Sequence, residues 1–325
     1  MPRFPSRLAV AGTAAALTPA LIAPTIAPTA AQATTKPATR ATAPKWAALG
    51  DSYTAGVIEA TGDLTEPQED CARTTGSYPE IIRRDLGSLT DLRNVSCGGA
   101  TTLDVHANKQ SPIGRPLPPL GTDPNAPYPP VPPQIDAVDP DTKVITVGVG
   151  GNDLGFGQIL KDCIELGATN LGLGTPCKDK YDAQIPGRLD RLRADYPTML
   201  GALQQQAPSA RIYTVGYPHL IPEDATLCRY GNPLQFATFT TGDLAWARSR
   251  ILEPLNLVIR QATSARQDTF VDLYPGSAGH SVCDADHWLD GVLTSVVPLK
   301  YAVIHPNAKG QAFAATQVED TVLGG

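Results

Sequence analysis

The chain has 325 residues, of which 42% are hydrophobic, and its 26 Lys and Arg against 32 Asp and Glu give a formal net charge of -6. This mild acidity provides no basic footprint, so we predict no nucleic-acid partner and no attraction to an anionic membrane surface. Once a leader is removed, the length suits one large domain with a sizeable core. We expect that domain to be a monomer.

The first 33 residues are predicted to be a secretory signal peptide. Arg3 and Arg7 precede an alanine-rich apolar run, and Ala31-Gln32-Ala33 places small residues at cleavage spacing. A membrane anchor is the alternative, but prolines interrupt the run, and no other segment has the roughly 18 uninterrupted apolar residues that span a bilayer. We therefore expect a secreted, extracellular protein with no integral membrane segment after cleavage, a flexible leader over 34–44 and one domain over 45–325.

The segment from Trp46 to Gly56 runs a short apolar strand into a serine flanked by small residues, Gly50-Asp51-Ser52. Such a turn delivers a hydroxyl to the edge of a sheet, because glycine permits the tight bend and the close approach of a substrate. A helix that follows can point its first N–H groups at a developing anion. For an isolated tripeptide of this kind the alternative is an ordinary turn, in which Asp and Ser bond to nearby backbone.

Strand and helix patterns alternate along the rest of the chain. In chain order they predict helix 78–86, strand 92–95, strand 143–149, helix 181–206, strand 211–215, helix 241–266 and strand 269–273. This alternation favours an α/β fold, a three-layer sandwich with a central parallel sheet flanked by helices. Chemistry in such a fold lies at the carboxyl ends of the strands.

Further polar segments follow the strands. Ser96-Cys97-Gly98-Gly99-Ala100-Thr101-Thr102 follows strand 92–95, Gly150-Gly151-Asn152-Asp153 follows strand 143–149, and His305-Pro306-Asn307 comes near the C-terminus. With Gly50-Asp51-Ser52, and in this order, they closely resemble the SGNH hydrolases, the GDSL esterase and lipase family, and in particular its secreted actinobacterial lipases and phospholipases. The resemblance runs from about Lys45 to the end and implies the flavodoxin-like hydrolase fold of that family.

The resemblance implies that Ser52 is the nucleophile and His305 the general base. It also implies an oxyanion hole formed by the N–H groups of Ser52 and Gly99 and the side-chain amide of Asn152. Ester hydrolysis through an acyl-enzyme requires these residue types independently, since the hydroxyl needs a base and the tetrahedral intermediate needs donors. The alternatives are a plain turn glycine for Gly99 and an Asx-turn residue for Asn152. We expect no cofactor and no metal, because nothing in this reaction requires one.

The chain departs from the family pattern at Ala302. Members usually carry an aspartate three residues before the histidine, but some replace it by a main-chain carbonyl that accepts the Nδ1–H bond. We predict a Ser52–His305 dyad oriented by the carbonyl of Ala302, and we expect an aspartate substituted at this position to be tolerated. A distant acid, Asp284 or Asp286, is the alternative orienting group.

Six cysteines agree with export, since an even count without any C-x-x-C pair favours disulfides over a zinc site. Sequence alone permits roughly 15 pairings of six cysteines. The resemblance implies sequential bridges, which are Cys71–Cys97, Cys163–Cys177 and Cys228–Cys283.

Two segments are candidate walls of the site. The proline-rich stretch 104–141 cannot form a core helix or a central strand. Because it links the two predicted oxyanion segments, we expect it near the mouth, where it either shapes an acyl groove or is a rigid loop without function. The segment from Leu154 to Cys177 is the second candidate, and the resemblance places His280 and Trp288 at the pocket.

We predict a carboxylic ester hydrolase whose partner is a lipid or other ester substrate, phospholipids included. Within enzymes the alternative is a carbohydrate esterase that removes acetyl groups, which would have a shorter pocket. From another class, the alternative is a non-catalytic binding module on the same fold. That alternative predicts loss of Ser52, Asn152 or His305, and all three are present.

Overall fold

A computed structural model describes residues 42–65, 70–119 and 121–324 of the chain. The main sheet consists of five parallel strands, β1 (Lys45–Gly50), β2 (Asp91–Asn94), β3 (Thr142–Gly148), β4 (Arg211–Val215) and β5 (Thr269–Val271). Their order across the sheet is β2-β1-β3-β4-β5. The predicted signal peptide, and the predicted leader up to residue 41, lie outside the described residues.

Helices connect these strands and cover both faces of the sheet. Within the described ranges they are α1 (Ser52–Ala55), α2 (Tyr78–Leu86), α3 (Thr102–His106), α4 (Phe156–Thr169), α5 (Pro176–Tyr181), α6 (Ile185–Gln206), α7 (Thr241–Ala247), α8 (Glu253–Ala265), α9 (Leu273–Gly276) and α10 (Ala308–Leu323). None of them is long and apolar enough to cross a bilayer.

Four short strands near the C-terminus lie outside the main sheet. They are β6 (Leu289–Asp290), β7 (Leu293–Val296), β8 (Leu299–Tyr301) and β9 (His305–Pro306). β6 pairs with β9 and β7 pairs with β8, both antiparallel. The first of these pairs places the predicted general base.

Alternate residues of the central strands face opposite layers, as a sheet covered on both faces requires. Ala47 and Leu49 of β1 join a core cluster with buried residues of α4, α6 and α8. Trp46 and Ala48 join a second cluster with residues of α2 and α10. The structure therefore confirms the predicted three-layer α/β sandwich.

The connections on the two sides of β1 run over different faces of the sheet. The connection from β1 to β2 contains α2, which packs on one face, and the connection from β3 to β4 contains α4 to α6, which pack on the other. Loops that leave neighbouring strands in opposite directions open a crevice at the carboxyl edge of the sheet. β1 and β3 end side by side there, with Gly50 opposite Gly148.

The helix predicted over 241–266 is divided in the structure. A π-helical turn, Arg248–Leu252, joins α7 to α8. Pro254 explains the change, because a proline inside a helix donates no N–H to the preceding turn. Similarly, the helix predicted from residue 181 begins at Ile185, after α5 has ended.

Three disulfides join Cys71 to Cys97, Cys163 to Cys177 and Cys228 to Cys283, the pairs that the resemblance implies. No cysteine among the described residues is free. The first bridge lies beside the predicted oxyanion segment, where the Gly98 N–H donates to the Cys71 carbonyl at 3.1 Å. It therefore ties the loop after β2 to the loop after α1.

Candidate active site

Ser52 is the first residue of α1 and directly follows the turn that ends β1. Asp51 caps this helix, because its carboxylate accepts the Tyr53 N–H at 2.9 Å. Residue 50 has to be glycine, since a Cβ atom there would lie 2.6 Å from the carbonyl oxygen of Gly148. The sequence Gly50-Asp51-Ser52 thus forms the sharp strand-to-helix turn expected for a nucleophile.

His305, in β9, lies directly opposite this turn. Its Nε2 atom is 2.7 Å from Ser52 Oγ, and its Nδ1 atom is 2.8 Å from the carbonyl oxygen of Ala302 and 3.0 Å from that of Val303. Because both neighbours of Nδ1 are carbonyl acceptors, Nδ1 carries the proton and Nε2 is the basic nitrogen. This is the arrangement in which an imidazole can accept the proton of a serine hydroxyl.

Val303 and Ile304, just before the histidine, both adopt a left-handed backbone, with φ of 53° and 60°. β-Branched residues rarely do so, and such strain persists only where the surroundings impose it. The Val303 N–H donates to Val292 at 3.1 Å, and the Ile304 N–H donates to Gly291 at 2.8 Å. The Ile304 carbonyl accepts the Tyr53 hydroxyl at 2.6 Å. These contacts hold the loop that aims His305, and no sequence pattern had indicated them.

The two distant acids considered from the sequence are engaged elsewhere. Asp284 accepts the N–H and the hydroxyl of Ser281, each at 2.7 Å. Asp286 binds Lys309 Nζ at 2.6 Å. Within the described residues, the hydrogen bonds of His305 Nδ1 go to backbone carbonyls.

The Ala302 side chain is fully buried in a small apolar cluster with Val57 and Ile58. An aspartate here would bury its carboxylate among apolar side chains, at a cost that an unpaired charge does not recover. This burial argues against tolerance of Ala302→Asp, which stays a prediction.

The predicted oxyanion donors lie on the two loops that flank Ser52. Gly99 has φ 83°, a left-handed backbone that favours glycine. A Cβ atom on it would also lie in tight contact with Ile113, 3.3 Å from Cδ1. Asn152 Nδ2 donates one hydrogen to the Ala100 carbonyl at 2.9 Å, which leaves its second hydrogen for a ligand. Ser52, Gly99 and Asn152 line one cavity. Their role as oxyanion donors stays a prediction.

Asp153 and Thr102 join the two oxyanion loops to each other. The Thr102 N–H donates to Asp153 Oδ1 at 3.1 Å, and the Thr102 hydroxyl donates to the same oxygen at 2.6 Å. Burial raises the pKa of Asp153 to about 6, although these hydrogen bonds oppose the rise. The bond keeps the loop that carries Gly99 in register with the loop that carries Asn152.

Burial also shifts the titration of the groups nearest the nucleophile. It lowers the pKa of His305 to about 4, while the carbonyls of Ala302 and Val303 oppose this shift. It raises the pKa of Asp51 to about 7, against hydrogen bonds from Tyr217 and the Tyr53 N–H. His305 is therefore neutral at ordinary pH, as a general base must be.

The cavity at Ser52 has a volume of about 230 Å³ and two unlike walls. One wall is apolar and comes from α4, the π turn and α8, with Phe156, Leu160, Ile251, Leu252 and Leu255. The other comes from the proline-rich stretch, with Ile113, Gly114, Arg115, Pro116, Gly121 and Thr122. Both segments proposed as walls from the sequence thus contribute to the cavity.

His280 and Trp288 do not line this cavity, so that expectation is wrong. Their rings stack on each other with 3.6 Å between the ring centroids, and Trp288 borders a separate, much smaller cavity. Among the described residues, no three His, Cys, Asp or Glu side chains are grouped to hold a metal ion. The expectation that no metal or cofactor is needed stays a prediction.

Comparison with known proteins gives one family and several relatives. Residues 48–313 match the GDSL-like Lipase/Acylhydrolase family. The chain is 34% identical to Lipase 2 of Streptomyces coelicolor, over 86% of this chain and 85% of that protein. It is 32% identical to an esterase of Streptomyces scabiei, over 84% of each chain.

Two solved structures share the fold. The extracellular lipase from Streptomyces rimosus superposes with a TM-score of 0.61 at 24% identity, over 86% of this chain and 99% of that one. Phospholipase A1 from Streptomyces albidoflavus superposes with a TM-score of 0.62 at 23% identity, with the same coverage. Since the family match spans most of the sheet and every segment of the site, the chain belongs to the GDSL-like lipase/acylhydrolase family and is a carboxylic ester hydrolase.

Proposed function

We propose that the chain is a secreted serine hydrolase that cleaves lipid-like esters through an acyl-enzyme, with Ser52 as nucleophile and His305 as general base. One observation carries the proposal. Ser52 Oγ lies 2.7 Å from the unprotonated nitrogen of a neutral imidazole and opens onto an apolar cavity. A hydroxyl, a base and a place for an acyl chain thus converge on one atom.

The first half of the reaction acylates Ser52. Its Oγ attacks the ester carbonyl carbon while His305 Nε2 accepts the hydroxyl proton, and the carbonyl oxygen becomes an oxyanion. Donors from Ser52, Gly99 and Asn152 stabilise that oxyanion, each worth on the order of a hundredfold or more in rate. The ester C–O bond then breaks, and the imidazolium returns the proton to the leaving alcohol.

The second half repeats these steps with water in place of the alcohol. His305 accepts a proton from the attacking water, the acyl–Oγ bond breaks, and Ser52 regains its hydrogen as the carboxylic acid leaves. The Ala302 and Val303 carbonyls accept the Nδ1–H bond throughout, so the imidazolium formed in each half is stabilised without an adjacent carboxylate.

The apolar wall favours an acyl chain longer than acetyl. Five large hydrophobic side chains border the cavity on the side of α4 and α8, and none of them can hydrogen-bond a sugar. This disfavours the acetyl esterase alternative. The binding-module alternative has no observation in its favour, because Ser52, Asn152 and His305 are all present and line the same cavity.

Secretion is supported by the signal-peptide pattern of the first 33 residues and by the three disulfides, which persist in oxidising compartments. The Streptomyces rimosus relative is described as an extracellular lipase. Export is tested by expression of the full-length chain and N-terminal sequencing of the protein in the medium. We expect a start near Thr34, and retention of the intact chain inside the cell would contradict this part of the proposal.

Hydrolysis rates on p-nitrophenyl esters from acetyl to palmitoyl, with one triglyceride and one phospholipid, test the substrate class. We expect kcat/KM to rise from acetyl to a medium-length chain, and Ser52→Ala to remove the activity on every ester. A higher kcat/KM on the acetyl ester than on longer esters would contradict the lipid-like substrate class and favour the acetyl esterase alternative. Hydrolysis of the phospholipid would extend the proposal to phospholipase A activity, and its absence would restrict it to neutral esters.

A further inference from the structure

Tyr217, in the loop after β4, connects the nucleophile turn to the oxyanion turn through a single oxygen atom. Its hydroxyl donates to Asp51 Oδ2 at 2.5 Å and accepts the Gly151 N–H at 2.8 Å. Asp51 precedes Ser52, and Gly151 precedes Asn152. Ser52 and Asn152 must both meet the carbonyl group of the substrate. Each of them directly follows a residue that is hydrogen-bonded to the Tyr217 hydroxyl.

We propose that Tyr217 is a positioning residue for the reaction, whose hydroxyl sets the distance between the nucleophile turn and the oxyanion turn. The inference rests on the proposed roles of Ser52 and Asn152. A shift of about 1 Å between a nucleophile and an oxyanion donor can cost on the order of a hundredfold in rate. A rigid link between the two turns therefore acts directly on the transition state.

Among the described residues, the Tyr217 hydroxyl is the side-chain group that bonds to both Asp51 and Gly151. Asp51 is 1% exposed and Tyr217 is 6% exposed, so most of each side chain is shielded from solvent. Without the hydroxyl, the Gly151 N–H loses its acceptor and Asp51 loses a donor, and buried groups left unpaired move to find partners. The turn that carries Ser52 and the turn that carries Asn152 would then relax independently of each other.

Tyr217 is itself fixed from both sides. Asn256 of α8 holds its backbone, because Oδ1 accepts the Tyr217 N–H at 2.8 Å and Nδ2 donates to the Tyr217 carbonyl at 2.9 Å. The Tyr217 ring packs edge-on against the Tyr53 ring, with 5.1 Å between the ring centroids. The Tyr53 ring in turn packs against the His305 ring, with 4.9 Å between the centroids. The bridge is therefore anchored to the scaffold rather than free to follow either turn.

Tyr217→Phe tests the bridge, because it removes one oxygen and leaves the ring that lines the cavity. On p-nitrophenyl butyrate we expect kcat to fall by about 10- to 100-fold and KM to stay within about twofold, since the apolar contacts of the acyl chain are kept. Tyr213→Phe is the matched control. Tyr213 is also buried, on the preceding strand, but among the described residues its hydroxyl has no hydrogen-bond partner. Its kcat should be that of the parent protein.

Asp51→Asn separates positioning from stability. Asparagine keeps the cap of α1 through Oδ1, but it places an Nδ2 donor where Asp51 Oδ2 accepts the Tyr217 hydroxyl, so that hydroxyl loses its acceptor and kcat should fall. Burial raises the pKa of the aspartate to about 7, so the folded state loses stability as pH rises from about 4 to about 7 and the full cost is present at pH 8, where the asparagine should raise Tm. The loss of an acceptor for Gly151 in Tyr217→Phe should lower Tm instead.

Two variants that lose kcat at unchanged KM while their Tm values move in opposite directions would support the proposal. A kcat within twofold of the parent protein in Tyr217→Phe would overturn it. Should that variant not fold, full activity in Asp51→Asn would overturn it equally. Activity that survives in Ser52→Ala would instead show that the proposed function is wrong, whereas an inactive Ser52→Ala with a fully active Tyr217→Phe would remove this inference alone.

Discussion

The sheet edge that carries Ser52 and the proline-rich wall enclose the same cavity but are held in different ways. At the edge, buried groups from distant segments fix each turn; the Gln134 side chain, for example, accepts the Gly50 N–H at 2.7 Å and donates to the Gly50 carbonyl at 2.8 Å. The proline-rich wall is held by hydrogen bonds nearer the surface; the Tyr301 hydroxyl, for example, donates to the Pro119 carbonyl at 2.6 Å. Ile113 on that wall is 59% exposed.

This difference separates chemistry from substrate choice. The groups proposed to react need a fixed geometry, and they lie where several elements constrain the same turn. The walls need only shape and polarity, which side chains supply without a network. Changes at the edge should therefore alter kcat for every ester, and changes in the walls should alter which ester is preferred.

The largest effect is expected at the edge. Ser52→Ala and His305→Ala should each lower kcat on p-nitrophenyl butyrate by about 10⁴- to 10⁶-fold without unfolding the protein, because the two residues act as one unit. For the same reason the double variant should be no more than about tenfold slower than the slower single variant. Steady-state rates and thermal unfolding of the three variants check this. Losses that multiply in the double variant would contradict the dyad.

A wall substitution should change selectivity instead. Leu252→Trp places a larger ring in the cavity, so kcat/KM on the palmitoyl ester should fall by about 10- to 100-fold relative to the acetyl ester. Leu257→Trp is the control, since Leu257 lies on α8 but is 49% exposed. Equal losses on all chain lengths in Leu252→Trp would place the acyl chain elsewhere.

The disulfides extend the comparison to stability. Replacement of either Cys71 and Cys97 or Cys163 and Cys177 by serines should cost about 2–5 kcal/mol of unfolding free energy. Only loss of the Cys71–Cys97 bridge, which adjoins the Gly98-Gly99 turn, should also lower kcat. Thermal unfolding and kcat of both double variants test this. Equal effects on kcat would show that the bridge does not position the turn.

The pH dependence of kcat/KM should reflect the buried imidazole. Because the pKa of His305 is lowered to about 4, the free enzyme keeps its base unprotonated as pH falls, and activity on a soluble ester should persist to about pH 5. An unperturbed histidine would lose half of the activity near pH 6.5, as an order-of-magnitude reference. Loss of half of the activity near pH 7 would instead indicate that protonation of Asp51, whose pKa is raised to about 7, controls kcat/KM.

The smallest effect is expected from the acids near the C-terminus. Asp284→Ala and Asp286→Ala should each leave kcat within about twofold, since both carboxylates bond to groups other than His305. In a Ser-His-Asp enzyme, loss of the orienting acid costs on the order of 10⁴ in kcat. A folded variant with a loss of that size would identify a third member of the site.

The sequence predicted much of this arrangement because its elements are local. Local hydrophobic patterns predict the strands and helices, and a strand that ends in glycine and a polar residue marks the sheet edge. The roles of Ser52 and Asn152 come from the resemblance of these segments to the SGNH hydrolases. The break at Arg248–Leu252 was missed, although Pro254 was its signal.

Contacts between distant segments could not be predicted in this way. The Tyr217 hydroxyl is 166 residues from Asp51 in the chain, and nothing in the pattern around Tyr217 distinguishes it from a core tyrosine. The same holds for the left-handed Val303 and Ile304, whose residue types argue against that backbone. His280 and Trp288 show the converse, because the resemblance of their segment to one near the site entrance in the family did not bring them to the cavity.

Reaction with a fluorophosphonate tests the central claim most directly, since the reagent needs a nucleophile, its base and the oxyanion donors at once. Mass spectrometry of the labelled protein should find one phosphonate on the peptide that contains Ser52. Ser52→Ala should take up none, and His305→Ala should react at least about a hundredfold more slowly. A phosphonate found on another serine, or labelling that survives in Ser52→Ala, would contradict the account.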